Sequence, residues 1–203
     1  MGAMNRRTHH AVISGVVSLA VAFGLAGCSG TDAVSQDVKG GLGFQYQAAG
    51  DAALTWVAPA NRSTVSGVKG QLLDGTAFDL SSWRGHVVVV NFWGSWCGPC
   101  QQEVQALEQV YTDDGSKGVE FLGVDVRDNR ASADAFVRKH SVTYPSLYDE
   151  SNLLALQFRH IPPNATPTTI VLDRQGRIAA RHSGGILYTQ LRSVVDQVLA
   201  EPA

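Results

Sequence analysis

The spacing of apolar positions changes several times along this chain, and each change marks an element. Residues 68–73 and 76–80 flank Asp74-Gly75, a strong hairpin signal. Residues 87–92 form a continuous, β-branched apolar run, as a central strand buried on both faces requires. From residue 99 to 111 the spacing becomes helical, with Val104, Leu107, Val110 and Tyr111 on one face. A second central strand is predicted over 119–126, and a helix over 132–140 with Phe136 and Val137 inward. Residues 144–148 read as a short strand and 151–158 as a short helix. Residues 168–172 and 177–181 flank Asp173-Arg174-Gln175-Gly176, a second hairpin. Residues 188–200 close the chain as an amphipathic helix with Leu191, Val194, Val195 and Val198 inward. Alternation in the middle and a hairpin near the end predict an α/β fold, a mixed central sheet flanked by helices.

The N-terminal residues follow a different pattern. Arg6 and Arg7 precede an uncharged apolar run over 11–26, too short for a full span and of the length of a signal-peptide core. The run ends in Leu25-Ala26-Gly27-Cys28, which resembles a bacterial lipobox. That resemblance implies cleavage after Gly27 and a diacylglycerol on the sulfur of Cys28; the alternative is an uncleaved membrane anchor. Both place the remainder outside the cytoplasmic membrane. Residues 29–41, rich in Gly, Ser, Asp and Gln, read as a tether. Residues 44–47 and 54–57, on either side of a turn signal, could form a small hairpin. The expected organisation is a signal peptide at 1–27, a lipid-anchored tether with a possible hairpin at 28–64, and one domain at 65–203.

Composition adds limits. The chain has 203 residues, 44% hydrophobic and 17% charged, which suits one globular domain with extensions. The net charge is −2 and no basic cluster lies in the folded part, which argues against a nucleic-acid partner. Of three cysteines, one lipidated at Cys28 leaves the pair Cys97 and Cys100. A disulfide closing so small a loop adds little stability, so its value is chemical. The pair lies at a strand-to-helix junction. There the first sulfur meets unpaired N–H groups and the helix macrodipole, which favour a thiolate. Thiol–disulfide exchange is therefore expected, with Cys97 as nucleophile and Cys100 as resolving thiol. Glu103, three residues on, shares a helix face with Cys100. Pro99 falls just inside the helix, where a missing N–H costs nothing. His140, His160 and His182 are scattered and suggest no metal site, and residues 125–128 read as a solvated loop.

Trp96-Cys97-Gly98-Pro99-Cys100 after a strand resembles the thioredoxin superfamily. The flanking Asn91-Phe92-Trp93-Gly94-Ser95, Gln101-Gln102-Glu103 and Pro167-Thr168-Thr169-Ile170-Val171-Leu172-Asp173 resemble its extracytoplasmic TlpA/ResA branch. The resemblance covers about residues 65–200. It implies a thioredoxin-like sheet with an N-terminal hairpin and a strand–helix insertion around 134–158. It also implies a thiol–disulfide oxidoreductase without a cofactor; several members reduce apocytochrome c before haem attachment. By resemblance Glu103 tunes the active-site thiols and serves Cys100 as acid/base, and Pro167 forms a cis bond beside the sulfurs, with Pro162 and Pro163 as rivals. The backbone of Thr166 would pair with substrate like an added strand. Trp96 either shapes the docking surface or fills the edge of the core. Two positions depart from the pattern. Asn91 stands where thioredoxin is expected to carry a buried Asp, and Gln105 where the branch often has Pro. The leading expectation is a membrane-tethered reductase fed by a membrane thiol shuttle; the alternative is a disulfide oxidase or isomerase for secreted proteins. A thiol peroxidase would need a lone peroxidatic Cys in a Pro/Thr setting, which Cys97 lacks.

Overall fold

The computed structural model describes residues 54–158 and 165–202. The expected signal peptide, Cys28, the tether, the first hairpin arm at 44–47, His160, Pro162 and Pro163 lie outside them. The described chain runs β1 (Thr55–Trp56), β2 (Lys69–Gln71), β3 (Ala77–Asp79), β4 (Val87–Trp93), α1 (Gly98–Asp114), β5 (Val119–Val126), α2 (Arg130–His140), β6 (Ser146–Asp149), β7 (Thr168–Leu172), β8 (Ile178–Ser183) and α3 (Tyr188–Leu199). Six strands form one sheet in the order β1-β8-β7-β4-β5-β6, and β2 pairs with β3 apart from it. Strands β4, β5 and β6 are parallel, while β7, β8 and β1 are antiparallel to their neighbours. The thioredoxin-like mixed sheet read from the sequence is the observed one.

Every residue of β4 is buried, because the sheet is covered on both sides. On one face Val88, Val90 and Phe92 meet Leu122, Val124, Ile170 and Leu172 under the β2–β3 hairpin and the turns at Leu80–Trp83 and Leu154–Gln157. On the other, Val87 and Val89 meet Leu107 and Val110 of α1 and Leu191, Val195 and Val198 of α3. Phe136 of α2 stacks on Trp93, ring centroids 4.6 Å apart, which ties α2 to the α1 side of the sheet. The Asn129 side chain caps α2 by accepting the Ser132 N–H, and Arg138, Lys139 and His140 complement the dipole at its other end.

Three features add to or change the sequence reading. The second arm of the possible hairpin joins the main sheet: Thr55 pairs with Arg181 and Trp56 with Ala180, so the sheet takes in residues ahead of 65. Arg62, in the stretch between the possible hairpin and the expected domain, is buried and fixes that segment. Its guanidinium meets Asp173 at 3.1 Å and Glu201 at 2.5 Å and lies over the Trp56 ring. The short helix expected over 151–158 is a single 3-10 turn, Leu154–Gln157. The Asp149 carboxylate accepts the Leu153 and Leu154 N–H groups there, which anchors the turn at its start.

Candidate active site

The C-terminal ends of β4 and β5, the start of β7 and the end of β8 meet at one end of the sheet. Open α/β sheets place their chemistry at the ends of the parallel strands. Between β4 and α1 the chain turns through Gly94, Ser95 and Trp96 to Cys97, the N-cap of α1. Cys97 and Cys100 form a disulfide, with sulfurs 2.07 Å apart, and both are buried. The Cys100 N–H donates to Cys97 Sγ at 3.3 Å. A helix-start N–H thus points at the sulfur that would carry the negative charge after reduction.

The loop before Cys97 is held from β5. The Ser95 N–H donates to Asp128 Oδ2 at 2.7 Å, and Trp96 Nε1 donates to Val126 O at 3.2 Å. Gly94 allows this fold-back, since a Cβ there would lie 2.5 Å from Trp96 Nε1. Trp96 is 51% exposed, and the Arg127 guanidinium lies 5.2 Å from its ring centroid. Its ring therefore stands mostly at the surface beside Cys97 rather than inside the core.

Glu103 lies one turn past Cys100 on the buried side of α1 and is 3% exposed. Asn91 Nδ2 donates to its Oε1 at 2.8 Å and the Ile186 N–H to its Oε2 at 2.9 Å. Asn91 Nδ2 also reaches Thr169 Oγ1 at 3.1 Å. Burial pushes the Glu103 carboxyl up to about 7 from an ordinary 4.5, and the two donors hold it back from rising further. The position that departs from the thioredoxin pattern, Asn91, is thus a donor to the acid. Gln105 leaves α1 continuous and donates to His140 O at 3.0 Å, joining α1 to α2.

The Thr166–Pro167 bond is cis, and Pro167 is buried. Thr168, next in β7, is in register with Phe92 of β4, so the cis bond and the cysteine turn leave the sheet at the same end. Pro167 O accepts the Gly184 N–H at 2.9 Å, and a Cβ on Gly185 would lie 3.8 Å from Pro99 O. The loop after β8 therefore runs from Pro167 past the start of α1 to Glu103. Thr166 is half-buried.

The sequence reading missed two buried polar side chains near the site. Asp125, within the strand expected over 119–126 but also read with residues 126–128 as a solvated loop, lies inside β5 in register with Trp93 and is fully buried. Neither of its carboxylate oxygens has a hydrogen-bond partner. Burial and the nearby charge of Asp128 push it up to about 8. Its place between Val124 and Val126, inside an apolar run, was the available signal. His182, read as one of several scattered histidines, is buried in β8 opposite Thr169. Among the described residues no cluster of His, Cys, Asp and Glu is arranged to hold a metal ion.

A disulfide at the N-terminus of a helix leaving a thioredoxin-like sheet, with a cis-proline turn at the same end, defines the thiol–disulfide oxidoreductases. Residues 60–181 match the AhpC/TSA family, and the chain belongs to that family, as a thiol–disulfide oxidoreductase of TlpA/ResA type. Thiol-disulfide oxidoreductase ResA of Halalkalibacterium halodurans is 28% identical over 129 residues, 64% of this chain and 72% of that protein. A DsbF homologue from Corynebacterium diphtheriae superposes with a TM-score of 0.69 at 34% identity, over 76% of this chain and 98% of that one. A secreted thiol-disulfide isomerase from Corynebacterium glutamicum gives 0.71 at 31%, over 78% and 98%.

Proposed function

We propose that this protein is an extracytoplasmic, membrane-tethered reductase that gives two electrons to a disulfide in a protein partner, apocytochrome c being the leading candidate. What supports the reading is one arrangement: the buried Cys97–Cys100 pair with the Glu103 carboxyl one helical turn on.

In this reading the reduced enzyme reacts first. The Cys97 thiolate attacks one sulfur of the partner disulfide. A Cys97–partner bond forms, the partner S–S bond breaks, and its departing thiolate takes a proton. Cys100 then gives its proton to the Glu103 carboxylate and attacks Cys97. The enzyme disulfide forms and the second partner thiolate leaves, so the partner is reduced and the enzyme oxidised. A carboxyl near 7 both takes and releases a proton at neutral pH. Trp96 and the Thr166 backbone ahead of cis Pro167 would hold the partner as an added strand. A membrane thiol shuttle would return the enzyme to the dithiol, and a lipid on Cys28 would keep it at the surface; a mass of the purified protein without a diacylglycerol refutes the anchor. Among the described residues no helix is long and apolar enough to cross a membrane.

A second reading is a disulfide oxidase or isomerase for secreted proteins. It is favoured by the similar Corynebacterium glutamicum structure, titled a secreted thiol-disulfide isomerase. The reduction potential of the Cys97–Cys100 couple separates the two. A value near that of thioredoxin, about −270 mV, supports the reductase; one near that of DsbA, about −120 mV, assigns the oxidase.

A further inference from the structure

One peptide group beside the site is held at both of its polar atoms. His182 Nε2 lies 3.1 Å from Gly185 O. A carbonyl oxygen can only accept, so this nitrogen carries the proton. At the other edge of the same planar amide, the Ile186 N–H donates to Glu103 Oε2 at 2.9 Å. The Gly185–Ile186 amide thus joins the imidazole of β8 to the carboxyl of α1. His182 is 1% exposed, and its Nδ1 has no hydrogen-bond partner. Burial also holds its proton affinity below the ordinary histidine value, which keeps the ring neutral. An apolar side chain would fill the same space without stranding a ring nitrogen, so the Nε2–H contact is the feature that an imidazole supplies here.

We propose that His182 is a positioning residue for the thiol chemistry: by donating to Gly185 O it orients and polarises the Gly185–Ile186 amide, whose N–H then favours ionised Glu103. This rests on the reading in which Glu103 accepts the Cys100 proton. Electron density drawn toward Gly185 O makes the Ile186 N–H a stronger donor, because linked hydrogen bonds polarise one another. A donor to the charged form lowers the proton affinity of a carboxyl. The other groups around Glu103 are known. β4 supplies the neutral Asn91 amide, backed by Thr169 of β7. Its own helix carries Cys100, with Cys97 at its N-cap. The segment before β6 brings Tyr144, a buried phenol whose proton affinity is raised by burial and then by the charges of Glu108 and Glu103.

The test is the pH profile of thiol–disulfide exchange with insulin, from about pH 5 to 9, for the wild type, His182→Met, His182→Gln and Glu103→Gln. Met has similar length and no donor; Gln places an amide N–H near the position of Nε2. The limb that depends on Glu103 is expected to move up by roughly one pH unit in His182→Met and to return in His182→Gln. It is absent in Glu103→Gln. If His182→Met follows the wild type while Glu103→Gln loses the limb, the role of His182 is overturned and that of Glu103 stands. If Glu103→Gln keeps the limb, the acid/base reading itself falls and this inference with it. Nitrogen NMR of the unmodified protein gives an answer even if a variant fails to fold. The expected result is an Nε2–H tautomer of His182 and an Ile186 amide resonance that titrates with Glu103; an Nδ1–H tautomer overturns the proposal.

Discussion

Replacing Glu103 by Gln should remove one component of the pH dependence of folding. In the folded, oxidised protein the carboxyl is pushed from 4.5 to about 7. A folded-state value above the unfolded one means that the native state holds the proton more tightly. The corresponding stability is fully present below pH 4.5 and is lost as pH rises through about 7. At about 1.36 kcal/mol per unit, that loss amounts to about 3 kcal/mol. The group is almost wholly buried, so solvent screening takes little from this figure. Gln does not titrate, and its single carboxamide oxygen cannot satisfy both Asn91 Nδ2 and the Ile186 N–H. The variant therefore loses about 1–2 kcal/mol at every pH for the stranded donor. The two effects separate by pH. At pH 5 Glu103→Gln is the less stable protein; at pH 8 it equals or exceeds the wild type. Urea unfolding of both oxidised proteins at the two pH values measures this. Asp125, raised in the same direction, is present in both proteins and cancels in the difference. A stability gap that stays constant from pH 5 to pH 8 would refute the account of the Glu103 site.

Three further outcomes are expected. Cys97→Ser abolishes insulin reduction, because it removes the sulfur at the N-cap of α1 toward which the Cys100 N–H points, and Cys100 alone has no partner with which to close the enzyme disulfide; retained turnover would remove Cys97 from its role. Asp125→Asn gains roughly 4 kcal/mol relative to the wild type between pH 5 and pH 9, since the wild-type carboxyl, raised from 3.8 to about 8 by burial and by the charge of Asp128, must ionise over that range in the folded protein; chemical denaturation at the two pH values measures it, and an unchanged difference counts against the burial argument. Arg62→Ala loses about 3 kcal/mol, because it strips the buried Asp173 of one cation and frees the segment that carries β1; a loss under about 1 kcal/mol would show that the cluster holds nothing together.

What the sequence disclosed depended on how local each signal was. β4 was legible because seven successive buried positions leave no alternation to misread. The hairpin at Asp74-Gly75 and helix α1 carry their instructions within a few residues: a Gly with φ of 88° in one, a cap and an early Pro in the other. β1 was legible as a strand within 54–57, but its pairing was not, because its partner is a strand far along the chain. Arg62 reads as a loop cation until Asp173 and Glu201, 111 and 139 positions away, are brought to it. The cysteines and Glu103 were placed by spacing on one helix. The donors that set the behaviour of Glu103 come from β4 and from the loop after β8, which no local window contains.

The exchange of an acid for an amide at position 91 bears on how the site works. On the face of β4 that runs Val87, Val89, Asn91, Trp93, Asn91 is the polar member, and burying it is tolerable because its amide has two acceptors. Had the carboxyl stood on β4, it would be fixed to the sheet while the sulfurs belong to the start of α1. On α1 the carboxyl and the Cys100 sulfur share one rigid element, one helical turn apart. Any displacement of the helix start that accompanies opening and closing of the disulfide then moves acid and thiol together. The sheet and the loop after β8 supply what stays behind, the Asn91 amide and the Ile186 N–H. A shift of α1 of less than an ångström would lengthen both bonds at once and raise the proton affinity of Glu103. In the proposed mechanism, proton uptake from Cys100 and the geometry of the sulfurs are thereby coupled through two hydrogen bonds, without any second titrating group on the strand.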